Sequence, residues 1–170
     1  MTGLLETSSL FKVFESFTVF SALVIHRIGN RGSQVWFGTI DFEMNYKSVP
    51  AETDAEIVGC GILTCMAIVT PMILISYLMQ GRDVIQSTVM DIAFSFIAAA
   101  LLMCAGGMAC FTYNSVFALS GPPVISNASM TRKEIRVAAS MGVTCIAASL
   151  IYVADFFWLL MQRSAFLREY

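Results

Sequence analysis

The chain has 170 residues, of which 57% are hydrophobic and 13% charged, where an ordinary soluble domain carries roughly 25% charged residues. With a mean hydropathy of +0.74, so much apolar surface cannot be hidden inside one small sphere, which excludes a water-soluble domain and makes lipid the expected solvent. The net charge of −2, with ten Lys and Arg that form no polybasic run, excludes a nucleic-acid-binding surface.

A helix needs about 20 apolar residues to span the hydrocarbon, and four stretches qualify. The first is Leu10 to Ile28. Its clean run covers only Ser16 to Ile25, because Lys12 and Glu15 interrupt the apolar pattern. They lie three apart on one helix face, where they can pair or reach the interface. Residues 1–9 contain no Lys or Arg, and no small-residue cleavage site follows, so this helix is expected to be a retained signal-anchor.

The loop Gly29–Asp54 comes next. From Ile40 to Lys47 the residues alternate, Ile40, Phe42, Met44 and Tyr46 against Asp41, Glu43, Asn45 and Lys47, which predicts a strand with one apolar face. Trp36-Phe37-Gly38 precedes it. A lone strand is not stable in water, so it must pack on the bundle, pair within the loop, or pair with another molecule.

The second span is Ile57 to Met79, preceded by the capping box Thr53-Asp54-Ala55-Glu56. Pro71 in its middle is expected to kink it. A tight turn, Gln80–Ser87, leads to the third span, Val89 to Tyr113, which opens with Asp91. The second long loop, Ser115–Lys133, carries the sequon Asn127-Ala128-Ser129, a glycosylation candidate at Asn127. A second capping box, Thr131-Arg132-Lys133-Glu134, starts the fourth span, Val137 to Met161. That helix is expected to run from Arg132 to Arg163, on the order of 45 Å, longer than the hydrocarbon core of about 30 Å. Small residues mark the expected helix contacts: Gly59, Cys60 and Gly61; Ala105, Gly106, Ala109 and Cys110; Ala138, Gly142, Cys145 and Ser149. The expected fold is an all-α membrane protein, a single four-helix transmembrane bundle over residues 1–170 with a short strand-containing loop between helices 1 and 2.

All five cysteines fall inside apolar segments, so no disulfide framework is expected in the loops and each reads as a small buried hydrophobe. One His and no loop Cys leave no zinc ligands. No nucleophile–base pair, metal set or phosphate loop is recognisable, so neither an enzyme nor a cofactor is expected.

In an up-and-down bundle the starts of spans one and three share a leaflet with the ends of spans two and four. Lys12, Glu15, Asp91 and Asp155 then sit together, with Arg82 and Arg163 at the edge. A salt-bridged cluster around Lys12 and Asp155 is expected to lock the bundle. A proton or cation path is the competing use of intramembrane carboxylates. His26, beside Arg27, reads as an interfacial residue. Placing the N-terminus inside leaves four Lys and Arg on the cytoplasmic side and six outside, slightly against the positive-inside rule. The sequon, if used, places the loop between spans three and four outside, and the N-terminus is taken as inside.

Lys12-Val13-Phe14, Leu23-Val24-Ile25-His26-Arg27-Ile28-Gly29 and, above all, Asp54-Ala55-Glu56-Ile57-Val58 opening the second span together resemble the snakeskin-like family of arthropod smooth septate junction proteins, which have four spans. The motifs cover residues 10–62; beyond them the likeness is one of topology, size and loop placement. The resemblance implies a non-enzymatic protein of lateral plasma membranes in midgut and Malpighian tubule cells, where it helps assemble the junction that restricts paracellular leakage. It implies as partners a larger single-pass junction protein, mesh, and a tetraspanin; membrane lipid and a second copy of the chain are the partners that the apolar spans and the strand themselves suggest. Trp36, Phe37, Phe42 and Tyr46 are the candidate partner-binding residues, since aromatic anchors dominate interface energies; packing on the bundle or in the interfacial aromatic belt is their alternative use. Claudins share the four spans and a first loop built around Trp and a strand, but carry a Cys pair there that this loop lacks. A small channel or transporter subunit, resting on Asp91, Asp155 and Pro71, is the rival function.

Overall fold

A computed structural model describes residues 7–29, 51–80, 89–120 and 132–169, with side chains at 7–27, 57–79, 89–111 and 139–164. These residues form four helices: α1 (Thr7–Gly29), α2 (Ala51–Gln80), α3 (Val89–Ser120) and α4 (Arg132–Glu169). Each contains a stretch long and apolar enough to cross a membrane. In lipid no water is present to satisfy backbone N–H and C=O groups, so a helix, which satisfies them within itself, is the form such a stretch must take.

The outer surface agrees with that solvent. Phe14, Phe17, Phe20, Met72, Phe111 and Phe157 all point outward. Hydroxyls that face outward are tied to their own helix: Ser21 donates to the Phe17 carbonyl, Ser76 to that of Met72 and Thr144 to that of Ser140. No donor is left bare in the lipid at those positions.

One spacing organises the interior. Buried positions recur at alternating steps of four and three: Ser8, Lys12, Glu15, Val19, Ala22 and His26 on α1; Asp91, Ser95, Ala98, Leu102, Ala105 and Ala109 on α3; Met141, Cys145, Ala148, Tyr152, Asp155 and Leu159 on α4. On α2 the same spacing joins Gly59, Leu63, Met66, Thr70 and Tyr77. This is the knobs-into-holes pattern of left-handed bundles. α1 packs on both α2 and α4, and α3 packs on α4, while α2 and α3 touch less. Contacts running down the pairs fix them as antiparallel. Ser149 on α4 donates to the Ala99 carbonyl of α3 at 2.7 Å, and Gly142 meets Gly106 further along. At the far end of α1, Arg27 donates to Cys60 Sγ near the start of α2 at 3.6 Å.

Several expectations are revised. α2 begins at Ala51, ahead of Thr53, so the first capping box lies within the helix. α3 continues to Ser120, past Tyr113. α4 is 38 residues, about 57 Å long, and overruns the bilayer core more than expected. Pro71 stands inside α2, which continues to Gln80. Gly61 faces open space rather than a neighbouring helix. Of the cysteines only Cys145 is fully buried; Cys65 and Cys104 face outward, because in lipid an apolar thiol gains nothing by turning inward. Among the described residues there is no strand. The expected strand Ile40–Lys47, the aromatics Trp36, Phe37, Phe42 and Tyr46, and Asn127 all lie outside the described residues.

Candidate functional site

The polar members of the buried stripes converge in the half of the bundle where α1 and α3 begin. The four-three spacing puts Lys12 and Glu15 on the inner face of α1, and Asp91 and Ser95 on that of α3. Asp155 and Tyr152 come from late in α4, and Tyr77 and Thr70 from late in α2. Every helix therefore contributes. The structure brings together all four charged residues singled out from the sequence.

The Lys12 ammonium is the centre. Its Nζ lies 2.7 Å from Asp155 Oδ2, 3.2 Å from Asp91 Oδ1 and 3.2 Å from Glu15 Oε2. It also donates to Ser95 Oγ at 3.0 Å, and Ser95 in turn donates to Asp155 Oδ2 at 2.9 Å. The Tyr77 hydroxyl donates to Asp91 Oδ2. Nζ sits 5.9 Å from the ring centroids of both Phe94 and Tyr152, within range of a cation–π attraction. Tyr152 shares a hydrogen bond with Thr70, so the fourth helix is tied to the second immediately beside the cluster.

Lys12, Glu15 and Asp155 are wholly shielded from the surroundings. Taking such charges out of water costs several kcal/mol per ion, returned only by close pairing and added hydrogen bonds. Asp91 and Asp155 receive those bonds from Tyr77 and Ser95. Glu15 does not: neither of its oxygens accepts a well-formed hydrogen bond among the described residues, whereas Asp91 and Asp155 each have one oxygen, Oδ1, unmet. The arrangement can act as a lock between four helices, and it can exchange protons. Among the described residues no group of His, Cys, Asp and Glu is placed to hold a metal ion, since the ammonium occupies the centre of the carboxylates.

Ser95, Tyr77, Tyr152 and Thr70 were not singled out from the sequence. For two of them the signal was available: Ser95 is four residues after Asp91 and Tyr152 three before Asp155, on the faces that those acids define. Among the described residues α2 brings no acid to the cluster, so Thr70 and Tyr77, seven apart, carried no such mark. His26 corrects an expectation. It is buried within the bundle rather than interfacial, because it continues the α1 stripe while its neighbour Arg27 turns outward. Arg163 is half-buried on α4 beyond Asp155, and Arg82 lies outside the described residues.

Comparisons with protein-family models, curated proteins and solved structures find no match to this chain.

Proposed function

We propose that the chain is a non-enzymatic structural membrane protein of epithelial cell–cell junctions of the smooth septate type, placed at lateral plasma membranes and contributing to junction assembly and the paracellular barrier. The observation that carries the reading is the participation of all four helices in one buried hydrogen-bonded cluster around Lys12. Such a centre makes the bundle a single stiff unit, suited to holding its loops in a fixed arrangement for partners. The sequence resemblance at Asp54–Val58 supplies the kind of junction, and with it a mesh-like single-pass protein and a tetraspanin as partners. The loop residues Trp36, Phe37, Phe42 and Tyr46 are the proposed contact surface. The test is location. A tagged copy in a polarised arthropod gut epithelium is expected at apicolateral borders, and is expected to leave them when the partners are depleted. Uniform plasma-membrane or internal-membrane staining overturns the reading.

A second reading, a small channel or transporter subunit, is favoured by one observation: three carboxyl groups face one ammonium inside the bundle. Ion flux into liposomes carrying the purified chain, abolished by D91N or D155N, would establish it in place of the first.

A further inference from the structure

The charges of the buried cluster do not balance. Glu15, Asp91 and Asp155 surround Lys12, and with every carboxyl ionised the site would carry two uncompensated negative charges at a place that lipid and apolar side chains screen from water. Among the described residues, the other groups that face the cluster are Tyr77 from α2, Ser95 and Phe94 from α3, and Tyr152 from α4, and none of these brings a second positive charge. A metal cation would need the central position, which Nζ fills, and among the described residues no ligand group for one exists. What remains is the proton.

The hydrogen bonds set Glu15 apart. Asp91 accepts from Tyr77, and Asp155 from Ser95 and Lys12. The Glu15 side chain is wholly buried, is aimed at Nζ, and has an oxygen, Oε1, that no donor meets among the described residues. A neutral carboxylic acid removes one of the excess charges and turns one of these oxygens into a donor. Asp155 Oδ1, unmet as well, is an acceptor of the same cluster.

The surroundings are also one-sided. Beyond Asp155 on the same face of α4, two further buried polar atoms lack a hydrogen-bond partner among the described residues: Trp158 Nε1 and Gln162 Oε1. They lead toward the membrane face where α1 begins and where Ser8 and Ser9 are buried. In the other direction the α1 stripe passes through Val19 and Ala22 before reaching His26, about 16 Å along the axis from Glu15. On that side the hydroxyls of Thr70 and Tyr152 are bonded to each other and that of Ser149 to the Ala99 carbonyl, and past them the facing residues Leu63, Met66, Leu102 and Ala105 are apolar.

We propose that Glu15, Asp91 and Asp155 form a proton-binding site that holds at least one exchangeable proton at neutral pH, carried on Glu15, and trades it with water on the α1-start side of the membrane alone, past Gln162 and Trp158. The proton comes from bulk water and returns to it, so the step needs no co-reactant. The site stores a proton and does not conduct one. This inference rests on the cluster alone and stands apart from the junction reading.

The test is infrared spectroscopy of the full chain in lipid nanodiscs. The wild type at neutral pH is expected to show the carbonyl stretch of a protonated carboxylic acid, shifted in heavy water, and E15Q is expected to lack it. In parallel, the folding equilibrium of the wild type should weaken with rising pH, about tenfold per pH unit for one proton, over the range in which Glu15 is protonated only when folded. E15Q, which mimics the protonated form permanently, should lose that dependence. W158F combined with Q162L should slow the exchange of the band into heavy water several-fold. A wild-type spectrum without the band overturns the proposal, and so does a band that persists unchanged in E15Q. Exchange at the wild-type rate in the double variant overturns the route. Should E15Q not accumulate, the wild-type spectrum decides alone.

Discussion

Gly106 on α3 and Gly142 on α4 cross with no room for a side chain between them. A Cβ on Gly106 would stand 2.9 Å from the Gly142 carbonyl oxygen and 2.8 Å from Ile146 Cγ1, and one on Gly142 would stand 2.7 Å from Cys110 Sγ. Without a hydrophobic effect between helices in lipid, such close approach is what association depends on. G106A is expected to lower stability by about 1–3 kcal/mol through overpacking. G61A and G107A, where a Cβ meets nothing within 4 Å, are expected to be neutral or to gain up to about 1 kcal/mol from helix propensity. Thermal melting of the three variants in one detergent checks the contrast, and equal losses at all three sites would contradict it.

K12M removes the one positive charge among three carboxyl groups and is expected to cost about 3–5 kcal/mol. D155A removes the shortest of three pairs but leaves Lys12 with Asp91 and Glu15, so it is expected to cost less than K12M, with D155N milder still because it keeps an acceptor for Lys12 and Ser95. The loss should be insensitive to salt, since a charge this deep is screened little by ions that stay in water. An unchanged melting temperature for D155A in detergent would remove the locking role.

The Tyr152–Thr70 pair allows a cleaner separation. Y152F leaves the Thr70 hydroxyl buried and is expected to cost about 1 kcal/mol, in keeping with measured hydrogen bonds between membrane helices. Adding T70V, which removes the second partner as well, should recover most of that loss, because deleting both members of a buried pair is close to neutral. A double-mutant cycle measures it; strictly additive losses would mean the two hydroxyls do not interact.

Y77F removes the one hydrogen bond that α2 donates to a carboxylate of the cluster among the described residues, from the hydroxyl that serves Asp91. A hydrogen bond to a charged group contributes about 1.5–3 kcal/mol, and Y77F should lose that much while leaving G106A no more or less damaging than in the wild type. Asp91 and Gly106 lie about 22 Å apart along α3 and share no partner, so the effects should add.

The four spans were legible because spanning lipid demands long apolar runs, and little else in a chain of this size produces them. The cluster was legible in outline because an up-and-down bundle dictates which helix ends share a leaflet, which is enough to bring Lys12, Glu15, Asp91 and Asp155 to one level. Its neutral members were harder to see. Ser95, Thr70, Tyr77 and Tyr152 sit in apolar runs where a hydroxyl can equally face lipid, bonded to its own helix, as Ser21 and Thr144 do. Only phase relative to a charged residue separates the two cases. His26 was misread for the same reason: its neighbour Arg27 suggested an interface, whereas its phase with Glu15 puts it inside. Cys65 and Cys104 were misread because the habit of burying thiols belongs to proteins in water.

The Lys12–Asp155 bond joins residues 143 positions apart in the chain, so it cannot form until α4 is in the membrane. Before that, the Lys12 ammonium has Glu15, three residues away on its own helix, and, once α3 is inserted, Asp91. α1 therefore acquires its shortest ion pair last, and the order in which the helices follow one another in the chain is also the order in which Lys12 gathers its counter-charges: Glu15, then Asp91, then Asp155.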